Sequence, residues 1–446
     1  MSLYRQLLKR QETSSPIRIG LIGAGKFGSM FLSQAGRSPG VHIVGIADLS
    51  PQTAKANLKL VGWMEEQFGA PSLDQALTGG TTHVGDDATR LITCPGIDII
   101  VECTGNPVVA VDHLLAAFHA GKHVVSATVE ADAVCGAALA RAARDNGVIY
   151  SMAYGDQPAM VCELVDWART CGFKVTAAGR GHKWLPEFRK STPETIWDYW
   201  GLTKEQAERG RLNPKMFNSF LDGTKPAIES AAIANACGLD VPSGGLTYPP
   251  GAISDIPNLM RPTSQGGVLE HRGMVEVISS LRPDGSTIEY DIRNGVWVCI
   301  EAADDYQRNC FEEYKVATDT SGRFMCLYKR WHMIGLELAM SVASVALRGE
   351  STGTADQFRA DVVAVAKRDL AAGEILDGEG GYTVAGQLRP TSVSVPAGHL
   401  PLGLTGDIRL KRPVAADAVL TYGDVDLNEE LTAVKLRRSL ESGGFK

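Results

Sequence analysis

The sequence predicts an α/β protein: a doubly wound parallel sheet, then an α+β domain, then a small β-rich module. Three observations carry that prediction. Up to Tyr154, short apolar runs alternate with stretches of helical periodicity, the signature of a parallel sheet with helical crossovers. Between Met274 and Ala302, strand-like runs ("MVEVISSL", "TIEYDI", "VWVCIEA") follow one another without helices. From about Arg359, short β segments are broken by Gly and Asp. A chain of 446 residues exceeds one compact core, and the composition shifts place domains at 1–154, 155–358 and 359–446.

The elements follow in order. "MSLYRQLLKRQETSSP" reads as a short amphipathic helix, without the apolar core of a signal peptide. Ile17 to Ile22 is an apolar strand with one charge, Arg18, and it runs straight into Gly23, Ala24, Gly25, Lys26, Phe27 and Gly28. Phe27, Met30 and Phe31 then fall at helical spacing. In such a turn the first glycine permits the bend, the second lets backbone approach a pyrophosphate, and the third lets helix and strand pack closely. The free amides of the helix N-terminus meet the phosphate charge. A second strand, Val41 to Ala47, closes on Asp48, about twenty positions past the last glycine, where an acid reaches a ribose hydroxyl. The strand in "IDIIVECTGNP" brings Cys103, Thr104 and Gly105 to the point where strand order reverses, beside the expected nicotinamide ribose. Asp48 opposes a 2′-phosphate and no Arg follows it directly, so these residues lean to NAD over NADP.

Past Tyr154 the chemistry is cationic. The strand from Lys174 leads into Arg180, His182 and Lys183, with Arg189 and Lys190 close behind, a set able to capture a phosphate or carboxylate. In "NSFLDGTKPAIESAAIANACGL", Asp222 or Thr224 caps a helix whose first turn holds Lys225, a cation opposed to the helix dipole. Lys225 and Glu229 share a face, and a local rule broken without structural gain points to a site. The Pro/Gly-rich stretch from Thr247 to Gly267 reads as a binding loop, with Met260 and Arg261 as its candidate contacts. "YKRWHMIGLELAMSVASVAL" returns as a buried helix. In the tail, Lys411, Arg412 and the "KLRRSL" helix read as solvated.

Bulk composition narrows the classes. A net charge of −7 gives no basic face for nucleic acid, and the longest apolar run, Met333 to Leu347, is too short for a bilayer. Nine scattered cysteines without a CxxC pair fit neither a zinc site nor a disulfide framework, which points to a reducing cytoplasm.

The glycine turn, "ECTG", "VVSATVEAD" and the Asp222/Lys225 helix entry resemble a homoserine-dehydrogenase-type reductase. The tail resembles a SAF (β-clip) domain, and the combination with "GDQP", "GRGHKW" and "LDGTKPAIE" resembles the 1-deoxy-D-xylulose-5-phosphate reductoisomerase-like enzymes. The resemblance implies NADPH (NADH remaining open), a divalent cation, Mg²⁺ or Mn²⁺, a homodimer, and reductive isomerisation of 1-deoxy-D-xylulose 5-phosphate in the methylerythritol phosphate pathway. Arg180, His182, Arg189 and Lys190 would then hold the substrate phosphate. Lys183, Asp222, Lys225 and Glu229 would be the catalytic groups, with Asp156 and Glu229 as guesses for cation ligands. Homoserine dehydrogenases carry a lysine after the strand matching His123 to Thr128; this chain has Val129 and Glu130 there. Two other readings fit the motifs: a dehydrogenase for homoserine or another small hydroxy acid, and a catalytically silent nucleotide sensor with the β module as its partner surface.

Overall fold

The computed structural model describes residues 2–210 and 212–443. Chain contacts divide it into two compact units, residues 1–160 with 333–356, and residues 161–332 with 357–446. Where composition draws three consecutive domains, the structure thus returns the segment 333–356 to the first unit and packs the tail within the second.

The first unit is the doubly wound sheet. Its six parallel strands are β1 (Ile17–Ile22), β2 (Val41–Ala47), β3 (His83–Gly85), β4 (Ile99–Glu102), β5 (His123–Ser126) and β6 (Tyr150–Met152), in the order β3-β2-β1-β4-β5-β6. Ile17, Ile19 and Leu21 of β1 are buried, because a central parallel strand is covered on both faces. Strand order reverses between β1 and β4, so the turns leaving these two strands flank one crevice. The returning segment forms the helix Ala339–Arg348, whose Val342 and Val345 join the core of Leu21, Phe31 and Ile99. That helix starts later than the sequence pattern suggests, because Tyr328 and Lys329 end a strand of the other unit.

The second unit centres on a four-stranded mixed sheet of β7 (Lys174–His182), β8 (Met274–Ser279), β9 (Val296–Glu301) and β10 (Phe324–Lys329), ordered β10-β9-β7-β8. β8 runs parallel to β7, while β9 is antiparallel to both β7 and β10. The stretch "TIEYDI" forms no strand; Thr287 makes one isolated bridge to Leu281. The helix Thr224–Cys237 packs its small residues Ala227, Ala231 and Ala232 against the sheet. The tail supplies β11 (Ala360–Ala366), paired antiparallel with β13 (Val384–Pro390), and β12 (Ile375–Asp377), paired with β14 (Gly406–Arg409). Asn235 ties the helix to this layer: its Oδ1 accepts from Arg359 N at 2.8 Å and Ala360 N at 2.9 Å. Thr224 Oγ1 accepts from Gly386 N at 2.7 Å in the same way. The C-terminal helix is not simply solvated, since Arg437 is fully buried and grips both oxygens of Asp361 at 2.9 and 2.5 Å.

Candidate functional site

The glycine turn has the geometry its sequence demands. Gly23 has φ +89°, and a Cβ there would lie 2.8 Å from Cys103 O. A Cβ on Gly28 would meet Gly23 O at 2.3 Å, so helix and strand approach too closely for any side chain. Around Gly25 a Cβ would meet nothing within 4 Å, and no side chain caps the helix Lys26–Ala35 that it begins. Open space against uncapped helix amides suits a pyrophosphate. Lys26 is exposed beside it and Phe27 packs inward on the sheet core. Asp48 Oδ2 accepts from Ala24 N at 2.8 Å and Oδ1 from Ser50 N at 2.9 Å, which fixes the carboxylate at the end of β2.

At the end of β4, Glu102 is fully buried. It accepts from Thr104 N at 3.1 Å, from Thr104 Oγ1 at 2.5 Å and from Thr128 Oγ1. Thr128 Oγ1 in turn accepts from Gly105 N at 3.0 Å, so the turn of Cys103, Thr104 and Gly105 is held rigid. Burial, with Glu102 alongside, pushes the Cys103 thiol well up, so it stays protonated.

In the second unit the predicted cations separate. Arg180 is buried and paired with Glu229, which removes both from phosphate capture and from proton transfer. His182 is buried with Nε2 2.6 Å from Phe220 O, and desolvation plus Arg180 push its pKa well down, so it carries no charge for a phosphate. Lys183 donates to Tyr199 O at 2.5 Å; burial, then Arg293, lowers its pKa. Lys190 is exposed, 3.2 Å from Asp417. Lys225 is half-buried in the first helical turn and does not line the recess described next.

That recess, a narrow cleft of about 40 Å³, is lined by Trp184, Arg189, Asp222, Gly223, Tyr248 and Gln387, among others. Of the predicted residues it gathers only Arg189 and Asp222. Trp184 and Tyr248 stack with centroids 4.2 Å apart, and Tyr248 adopts φ +51°, a strained backbone for a residue with a side chain. Glu276 holds that turn. Its carboxylate accepts from Thr247 N at 3.1 Å, Thr247 Oγ1 at 2.7 Å and Tyr248 N at 3.4 Å, and burial raises its pKa to about 6.

Asp222 is almost wholly buried. Its Oδ1 accepts from Thr224 N at 2.9 Å, and Lys367 Nζ lies 2.6 Å from Oδ2. Burial raises the Asp222 pKa, against the pull of Lys367 and Thr224. Sequence reasoning misses Trp184, Tyr248, Glu276 and Lys367. The Pro/Gly-rich loop is the one signal for Tyr248, but it points to Met260 and Arg261; Met260 is fully buried and Arg261 pairs with Asp319 at 2.8 Å.

The cation guesses do not fit. Asp156 is buried and accepts from Gln157 N at 2.9 Å, and Glu229 is committed to Arg180. No group of three or more His, Cys, Asp or Glu among the described residues is placed to hold a metal ion. No helix of the described residues is long and apolar enough to cross a membrane.

Two family profiles match. Residues 23–152 match the homoserine dehydrogenase NAD-binding domain, and residues 155–338 match a family described as oxidoreductase DRL, catalytic domain. The chain joins an NAD-binding domain to an oxidoreductase catalytic domain. A homoserine dehydrogenase from Methylobacillus glycogenes is 32% identical over 114 residues, 25% of this chain and 24% of that protein. The chain therefore spans about a quarter of that relative's length. Among solved structures, a biliverdin reductase from Synechocystis in complex with NADP⁺ is similar at 20% identity and TM-score 0.26, covering 38% of this chain and 48% of its own. A 3-ketoreductase from Actinomadura kijaniata in complex with NADP is similar at 16% identity and TM-score 0.25, covering 39% and 50%.

Proposed function

We propose that the protein is a nicotinamide-dependent oxidoreductase that interconverts a hydroxyl and a carbonyl on a small anionic metabolite. The observation that carries this reading is Asp222, a buried carboxylate that lines a recess together with Arg189. The dinucleotide, when bound, supplies or accepts the hydride. Arg189, for which no ion pair is seen among the described residues, pairs with the carboxylate or phosphate of the substrate. Asp222 takes the hydroxyl proton in the oxidative direction and returns it in the reductive one. The stacked Trp184 and Tyr248 wall the recess against water.

The matches favour a hydroxy-acid dehydrogenase of the homoserine type as the first substrate class. Val129 and Glu130 stand where that family carries a lysine, so a close variant of homoserine fits better than homoserine itself. Reductive isomerisation of 1-deoxy-D-xylulose 5-phosphate is the second reading, supported by the resemblance of the sequence; no step through a divalent cation is derived for it. A carboxylate at the end of β2 disfavours a 2′-phosphate, so NAD(H) is the proposed cofactor in place of the NADPH that the resemblance implies.

The test is to incubate purified protein with NADH or NADPH and either aspartate semialdehyde or, with Mn²⁺, 1-deoxy-D-xylulose 5-phosphate, and to follow nicotinamide absorbance. Turnover that Asp222→Asn abolishes supports the reading. Turnover untouched by that change sinks Asp222 as the proton-transfer group, and cofactor binding without turnover of any hydroxy or keto acid leaves the sensor.

A further inference from the structure

Lys367 lies at the end of β11, far along the chain from Asp222, and its side chain is 3% exposed. A lysine ammonium has three N–H donors, and here three oxygens surround it. They are Asp222 Oδ2 at 2.6 Å, Ser191 O at 2.9 Å and Gly381 O at 2.8 Å. The two carbonyls accept hydrogen bonds, and the one carboxylate balances the positive charge as an ion pair. An ammonium so enclosed has neither a rotamer to adopt nor water to reach, so its position is fixed by the backbone on both sides. Asp222 is fixed equally. Thr224 N donates to Oδ1, while Oδ2 is buried in ion-pair contact with Lys367 but accepts no aligned hydrogen bond, in a residue that lines the recess.

We infer that Lys367 is a positioning residue, supplied by the C-terminal segment, that holds Asp222 ionised and oriented for proton transfer in the recess. The inference rests on the reading of Asp222 given above. It makes the tail part of the reaction site: Gly386, Gln387 and Leu388 line the same recess, and Gly386 bonds the residue two places after Asp222. The other charged groups of this neighbourhood are Arg180, Arg189 and Glu276, which with Asp222 all act on the Tyr248 hydroxyl. Arg180 is neutralised by Glu229, Glu276 is occupied by the Thr247–Tyr248 turn, and Arg189 faces the recess. Lys367 is the cation in direct contact with the carboxylate.

The experiment uses the full chain labelled with ¹³C at aspartate carboxyl carbons, the Asp222 resonance being assigned by its loss in Asp222→Asn. In Lys367→Met the midpoint of that resonance is expected to rise by at least one pH unit, because the neighbouring charge that favours the anion is gone. With the substrate that the wild type turns over, the acidic limb of kcat/KM should rise with it, and kcat should fall at least tenfold while KM changes little. Lys367→Arg keeps the charge and should keep the wild-type midpoint, with kcat intermediate. An unmoved midpoint in folded Lys367→Met overturns the inference. Should that variant fail to fold, Lys367→Arg decides alone: wild-type kcat, or a change confined to KM, overturns it. Asp222→Asn with full turnover sinks the functional reading instead, a result separable from the carboxyl titration.

Discussion

The glycine turn and the Asp222 recess are built by opposite means. The turn is a single stretch, Gly23 to Gly28, whose helix amides are uncapped and whose missing side chains leave the room. The recess draws Trp184, Arg189, Asp222, Tyr248 and Gln387 from four separate segments, with Lys367 behind them, and is lined by side chains held by buried polar contacts. A backbone site needs glycines and one acid at the right interval. A side-chain site needs partners that neutralise every buried charge, because an uncompensated one is costly.

The sharpest way to break the comparison is Asp222→Asn. Loss of a general acid–base group lowers turnover by about 10²- to 10⁴-fold. Affinity for NADH, measured by quenching of protein fluorescence, should not change, since no residue of the glycine turn lines the recess. A parallel loss of cofactor binding would mean the two sites are not separately built.

A buried carboxylate without a cation should behave differently, and Asp132 provides one. It is 1% exposed, accepts from Tyr150 OH at 2.9 Å, and burial together with Glu130 and Asp156 raises its pKa to about 7. The folded state therefore binds this proton more tightly than the unfolded chain does. Stability is full below the unfolded pKa and falls as pH rises toward about 7. The loss is bounded at about 4 kcal/mol, since each tenfold difference in proton affinity between the two states is worth ~1.4 kcal/mol. Asp132→Asn should flatten this decline in urea titrations run between about pH 4 and 8; an equally steep decline in the variant would place the proton elsewhere.

The turn itself can be taken apart by two substitutions of the same size. Gly28→Ala drives a methyl into Gly23 O and should cost about 1–3 kcal/mol of stability as well as NADH binding. Gly25→Ala meets no protein atom within 4 Å and its φ of −66° suits alanine. Thermal unfolding of Gly25→Ala should match wild type while NADH affinity falls about tenfold, ~1.4 kcal/mol. If the affinity is unchanged, the open space at Gly25 is not where the pyrophosphate lies.

What is legible in the sequence follows from the same contrast. Five of the six strands of the sheet, Asp48 and the Cys103–Gly105 turn can be read from local spacing, because a strand, a bend and a helix N-terminus are each determined within a few residues; the three-residue edge strand β3 is too short to show. Asp222 stands out because Lys225 breaks a local rule beside it, yet Lys225 itself does not line the recess. Glu229 shares a helix face with Lys225 but pairs with Arg180 of β7, a partner no helical spacing reveals. Lys367 ends an apolar strand like many solvated lysines, and only the fold sets Asp222 against it. Tyr248 depends on a carboxylate, Glu276, that reads as an ordinary strand residue within "MVEVISSL".

The smallest effect tests the recess from outside. Arg189 and Lys190 are adjacent in a run that sequence alone treats as one cationic patch, yet Arg189 lines the recess while Lys190 lies in solvent against Asp417, both partners more than half exposed. An exposed pair of this kind contributes ~0–1 kcal/mol, and less in salt. Lys190→Ala should therefore leave kcat, KM and the unfolding midpoint at their wild-type values. Arg189→Ala should raise KM for an anionic substrate about tenfold or more through the lost charge-assisted hydrogen bonds. Equal effects from both would mean that the anion is drawn by a diffuse field and not seated in the recess. Their inequality, measured at high ionic strength where the field is screened, isolates Arg189, the one of these two neighbours that lines the recess.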